Sequence, residues 1–170
     1  MKDKNITLIW AIRLLAFGVL VLVDQLTKYL VRLHMSDYKP IPLIKDVFEL
    51  QYLENRGAAF GVLQNKIPVF LVVTVIVLCA VIWLMAKIPA KKKYFFLDAS
   101  LLLIVSGAVG NMIDRVYFGF VTDFFYFKLI DFPVFNVADC YVTVSAVLLI
   151  ILVVFVYQDE DFLFLKKKGN

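Results

Sequence analysis

The chain has 170 residues, of which 62% are hydrophobic and only 19% charged, and its mean hydropathy is +0.86. A soluble domain is about half apolar, and one this small leaves much of its surface exposed. The composition therefore excludes disorder, a disulfide-stapled miniprotein and most soluble folds, and leaves a small integral membrane domain. Eighteen Lys and Arg against fourteen Asp and Glu give a net charge of +4. The basic residues cluster beside apolar runs, where they act as topology signals, and no nucleic-acid partner is expected.

Crossing a bilayer takes about 20 apolar residues in a helix, because no other single segment satisfies its own backbone in lipid. The first such run, Ile6 to Val23, is broken only by Arg13. A basic start followed by an apolar stretch resembles a cleavable leader, but no small-x-small cleavage pattern follows. Instead Asp24-Gln25-Leu26-Thr27-Lys28 continues at helical spacing, so a retained span over about 6–31 is expected.

The loop of about 32–66 is more than a connector. Lys39-Pro40-Ile41-Pro42 cannot continue a helix. Val47 to Leu53 is aromatic and apolar with imperfect alternation, which predicts a short strand or two at the membrane surface. Asn55-Arg56-Gly57-Ala58-Ala59-Phe60-Gly61 follows, with two glycines that allow tight turns. It reads as a helix-entry turn or as a substrate-facing flap.

Ile67 to Ala86 carries no charge. Ala99 to Ile113 is short, lies between Asp98 and Asp114, and holds Gly107 and Gly110, which let another helix approach closely. Cys140 to Tyr157 lies between Asp139 and Gln158. These runs predict spans over about 67–87, 96–116 and 137–157. Cys79 and Cys140 lie in or beside apolar stretches and read as small buried hydrophobes, with no metal or disulfide spacing.

Lys2 and Lys4, the cluster Lys87, Lys91, Lys92 and Lys93, and the tail Lys166, Lys167 and Lys168 fall on one side of an even-numbered bundle. That side is expected to be cytoplasmic, with both termini inside and the loops 32–66 and 115–138 outside. The expected fold is an all-α membrane protein: four transmembrane helices with a small extracytoplasmic β/loop subdomain between helices 1 and 2. Residues 1–170 are read as one integral membrane domain, without internal repeats.

Carboxylates in or near hydrocarbon are costly and point to function. Asp24, Asp114, Asp123 and Asp139 come from distant parts of the chain, yet this topology puts all four near the outer membrane edge. Asp98 and the run Asp159, Glu160, Asp161 fall at the other face and read as interfacial charge. Asn111 is three residues before Asp114, and Asn136, a candidate helix cap, is three before Asp139. Lys28 and Arg115 offset part of the negative charge. His34 is the only histidine, so no Ser-His or Cys-His pair is available. Asp and Asn alone would suit only a hard cation such as magnesium or calcium, and no metal or cofactor is expected. Two carboxyls held close share one proton: one activates water while the other donates to a scissile carbonyl. On residues alone Asp114 is as good a member of that pair as Asp123. A proton-coupled transporter would spread its acids through the membrane depth rather than gather them at one edge. A non-catalytic scaffold, the other rival, would use the acids only to pair with Lys28 and Arg115.

Five blocks, in order, resemble the bacterial lipoprotein signal peptidase (signal peptidase II) family. They are Asp24-Gln25-Leu26-Thr27-Lys28, Asn55-Arg56-Gly57-Ala58-Ala59-Phe60-Gly61, Gly110-Asn111-Met112-Ile113-Asp114-Arg115, Val121-Thr122-Asp123-Phe124 and Phe135-Asn136-Val137-Ala138-Asp139. Thr122 departs from the valine of many relatives, and the segment between Asp123 and Asp139 is slightly short. The resemblance implies an aspartyl endopeptidase of the bacterial inner membrane that works near the extracytoplasmic face. It would cut the signal peptide from diacylglyceryl-modified prolipoproteins just before the lipidated cysteine. It further implies Asp123 and Asp139 as the catalytic dyad. Asp24, Lys28, Asn55, Gly57, Asn111, Asp114, Arg115, Asn136 and Ala138 match supporting positions. Of these, Asn111, Asp114 and Asn136 would hold the site, and Arg115 would meet substrate or lipid. Membrane lipid and globomycin-type inhibitors are the implied partners, and the chain is expected to be a monomer.

Overall fold

The structure is a computed structural model and describes residues 2–35, 39–57 and 66–165. The basic tail and most of the Gly57–Gly61 segment, Ala58 onward, lie outside the described residues. Four long apolar helices account for most of the chain: α1 (Lys2–Met35), α2 (Ile67–Lys87), α3 (Phe95–Phe118) and α4 (Val137–Ile151). Each is long and apolar enough to cross a membrane, counting with α4 the π-helical turn Leu152–Val156 that extends it. Pro68 sits in the first turn of α2, where a missing N–H costs nothing. Gly119 ends α3 in the left-handed region, φ 76°, and its N–H donates to the Arg115 carbonyl.

The strand expected within 47–53 is present in the middle of a sheet, and it has a neighbour on each side that the sequence did not suggest. β1 (Ile41–Ile44) and β2 (Phe48–Asn55) form an antiparallel hairpin between α1 and α2. The third strand, β3 (Val121–Tyr126), comes from the α3–α4 connection and pairs antiparallel with β2, giving the order β1-β2-β3. Leu53 pairs with Asp123 and Asn55 with Val121, so the sheet carries Asp123 to the level of the helix ends. Pro42 is tolerated because β1 is an edge strand.

Apolar side chains face outward, as lipid permits; Leu14, Leu15, Ile76 and Phe155 are all largely exposed. Helix α3 is the central one and buries Leu97, Leu101, Val105, Gly107, Gly110 and Asp114, whereas α2 buries only Met85. A Cβ on Gly107 would lie 2.5 Å from the Ala138 carbonyl oxygen of α4, and one on Gly110 would run into Asp24 Oδ2 of α1. Both glycines therefore allow close helix contact, as expected. One apolar cluster, including Met85, Tyr94, Leu101 and Tyr157, fills one end of the bundle; Val31, Met35 and Phe124 form another beneath the sheet.

Two sequence readings need correction. Cys79 is exposed, not buried, because α2 presents that face outward; Cys140 is half-buried. Asp98 is no simple interfacial charge: its carboxylate meets Arg13 Nη2 at 2.7 Å, which neutralises the one charge inside the first apolar run. Buried Ser100, Ser106 and Ser145 donate to carbonyls of their own helices, at Phe96, Leu102 and Val142.

Candidate active site

The polar residues singled out in the sequence converge at one end of the bundle. Asn136 caps α4: its Oδ1 accepts from the Asp139 N–H, and Asp139 Oδ2 accepts from the Asn136 N–H, a reciprocal capping box. Its Nδ2 has two further acceptors, Asp123 Oδ1 at 2.6 Å and Asn111 Oδ1 at 3.1 Å. Asn111 Nδ2 donates to Asp139 Oδ1 at 2.8 Å. From the sheet, Asn55 Nδ2 donates to Asp123 Oδ2 at 2.8 Å. Both oxygens of both carboxylates are thus held by amides, and one residue, Asn136, touches both acids.

Beneath this layer lies a buried ionic network. Lys28, fully buried, places Nζ 2.9 Å from Asp24 Oδ2 and 3.8 Å from Asp114 Oδ2, and donates to Asn111 Oδ1 at 2.8 Å. Asp24 Oδ1 accepts from the Ala138 N–H at 2.9 Å, fixing the start of α4 on α1. Asp114 Oδ2 accepts from the Thr122 N–H at 2.9 Å, the residue before Asp123. A buried lysine is tolerable only with such partners. Arg115 Nη2 donates to the Gly57 carbonyl at 3.2 Å, and its guanidinium lies 4.6 Å over the Phe70 ring. Asn55 Oδ1 accepts from the Gly57 N–H, holding the described start of the glycine segment against the site.

Three contributors escaped the sequence reading. Gln25 Nε2 donates to Asp24, Asp114 and the Gly110 carbonyl. Arg32 Nη1 donates to Thr122 Oγ1 at 2.8 Å and lies 3.6 Å from Asp114 Oδ2. Arg32 is four residues after Lys28 and eight after Asp24, so the shared helix face was a readable signal. The third is the aromatic group of Phe127 and Phe132 beside Phe135, of which only Phe135 stood in a recognised block.

A cavity of about 610 Å³ opens beside the two acids Asp123 and Asp139. Asp123, Asp139, Asn55, Gly57, Asn111 and Arg115 line its polar side; the segment from Phe127 to Phe135 and the face of α4 with Cys140 and Val144 give it apolar walls. Asp24 and Asp114 are turned away from it, into the ionic network. Burial first, and then the charge of Asp139, push Asp123 from the ordinary 3.8 to about 7, against the hydrogen bonds from Asn55 and Asn136.

A family model for signal peptidase (SPase) II matches residues 16–155. The chain belongs to the signal peptidase II family. Among curated members, the lipoprotein signal peptidase of Caldanaerobacter subterraneus subsp. tengcongensis is 47% identical over 146 residues, covering 85% of this chain and 96% of the relative. That of Clostridioides difficile is 44% identical over 137 residues, covering 81% and 90%. Two solved structures, each described as a bacterial membrane enzyme, superpose with TM-scores of 0.75 and 0.74 at 30% and 32% identity. They cover 94% and 85% of this chain, and 94% of each of those chains. The chain therefore has the signal peptidase II fold, and it is a bacterial integral membrane protein.

Proposed function

We propose that this member of the signal peptidase II family is a membrane-embedded aspartyl endopeptidase that removes the signal peptide from diacylglyceryl-modified prolipoproteins, cutting just before the lipidated cysteine. The observation that carries the reading is the pair Asp123 and Asp139 on one cavity, joined through Asn136, with Asp123 raised to about 7. Near neutral pH the pair holds one proton. Asp123, the deeper acid, carries it and donates to the scissile carbonyl oxygen. Asp139 is the base that takes a proton from the attacking water. When the tetrahedral intermediate collapses, Asp139 gives that proton to the leaving amine, the re-forming carbonyl returns its hydroxyl proton to Asp123, and the dyad resets.

The remaining residues act through these two. Asn111, Asn136 and Asn55 fix the carboxylates; Asp24, Lys28, Asp114 and Ala138 fix the elements that carry them. Arg115 and Gly57 lie where substrate backbone or lipid headgroup would pass. The apolar wall, Phe127 to Phe135, suits the acyl chains of the substrate lipid and, equally, an apolar peptide inhibitor of the globomycin type. The lysine distribution supports cytoplasmic termini and a site near the extracytoplasmic face. The chain needs no second copy to build this site and would work as a monomer.

A gel-shift assay on a lipid-modified prolipoprotein tests the reading. Loss of the signal peptide, blocked by globomycin, is expected. An unshifted substrate with a folded chain and a competent lipid modification would sink it.

A further inference from the structure

A second cavity, of about 520 Å³, lies at the opposite end of the bundle, between α1, the α2–α3 link and the start of α3. Ile9, Ile88 and Phe95 make an apolar wall; Arg13, Lys91, Lys92 and Asp98 supply charge. Arg13 is occupied: Nε donates to Asp98 Oδ2 at 3.0 Å, and its guanidinium lies 4.6 Å over the Trp10 ring. Neighbouring Lys93 is bound to Asp161 at 2.6 Å. Lys91 and Lys92 are exposed and have no such acidic partner among the described residues. Three cations against one carboxylate leave the cavity with two positive charges. Phe95 and Phe96 are 65% and 57% exposed, so the apolar wall opens onto the outer face of the bundle.

A ligand for this cavity must bring negative charge and an apolar body together. A soluble anion leaves the apolar wall unused, and a zwitterionic lipid sets its own cation against the lysines. We propose that the cavity binds an anionic phospholipid, with Lys91 and Lys92 on the headgroup phosphate and an acyl chain along Ile9, Ile88 and Phe95. Basic pockets between membrane helices recognise such headgroups by the same charge pairing. The site shares no residue with the dyad cavity and does not rest on the peptidase reading.

Trp10 is a built-in reporter, since the chain has only one other tryptophan, Trp83. The full chain carrying Trp83→Phe is placed in phosphatidylcholine nanodiscs doped with brominated phosphatidylglycerol or with brominated phosphatidylcholine. Phosphatidylglycerol should quench Trp10 at a mole fraction lower on the order of tenfold. Lys91→Gln with Lys92→Gln should abolish that preference, while Lys167→Gln with Lys168→Gln, which removes equal charge from the tail, should keep it. Added glycerol 1-phosphate should leave the quenching unchanged. Equal quenching by the two lipids overturns the proposal, as does a preference that survives loss of Lys91 and Lys92 or that falls equally with the tail lysines. Relief of quenching by glycerol 1-phosphate would assign the cavity to a soluble anion instead.

Discussion

Asn136 makes more of the site than any other single residue. It caps α4, bonds Asp139 in both directions and donates to Asp123 and Asn111. Asn136→Asp keeps the shape but turns a two-proton donor into an acceptor facing Asp123. Loss of a buried donor costs about 1–3 kcal/mol, so a lower Tm in detergent and a steep fall in kcat are expected, with substrate still captured. A variant as active as the parent would remove Asn136 from the account. Asp123 sets a pH dependence as well. Its value is raised to about 7, so the shared proton is present below that pH and is lost as pH rises through it. The pH profile of kcat should therefore fall on the alkaline side near that value, and a flat profile across it would contradict the proton assignment. Much of this layer was legible as spacing: Asn136 three before Asp139, Asn111 three before Asp114. The Asn136–Asp123 bond was not, because it joins a helix cap to a strand and no local periodicity encodes it.

Among the elements, β3 decides where Asp123 goes. It is held at its start by Asp114 of α3, through the Thr122 N–H, and by Arg32 of α1, through the Thr122 hydroxyl. Val121, Thr122, Phe124, Phe125 and Tyr126 are strand-forming types, so its propensity was legible; its pairing with β2, far away along the chain, was not. The departure at Thr122 has a physical use, since the hydroxyl takes a bond from Arg32 that a valine could not. Thr122→Val should keep activity and lose about 1 kcal/mol, read as a small drop in Tm. Asp114→Asn removes a buried charge beside Lys28 and Arg32 and weakens the β3 anchor. It should lower stability by about 1–3 kcal/mol and reduce turnover without abolishing it. At the α3–α4 contact, Gly107→Ala forces a methyl toward the Ala138 carbonyl. It should cost about 1–3 kcal/mol, and an unchanged Tm would show that the helices can separate freely.

Across the whole molecule the usual polarity is largely reversed: Asp24, Lys28, Asp114, Thr122 and Asn136 are fully buried, while many leucines and phenylalanines, Leu14, Leu15 and Phe155 among them, face outward. Hydropathy alone revealed the four helices, because lipid demands long apolar runs. A charge lies within a helix, rather than at its end, where it has found a partner. α3 runs past both Asp98 and Asp114, since Arg13 neutralises the first and Lys28 and the Thr122 N–H hold the second. The 62% apolar fraction also suits the proposed substrate, a lipid-bearing helical segment that reaches the dyad from within the bilayer. In the proposed mechanism Asp123 and Asp139, and not Asp114, perform the chemistry. Cleavage of a lipid-modified prolipoprotein by Asp123→Asn, Asp139→Asn and Asp114→Asn, each checked for fold by its Tm, tests it most directly. The first two should yield no product and the third a reduced amount; substantial turnover by Asp123→Asn with none by Asp114→Asn would contradict the assignment.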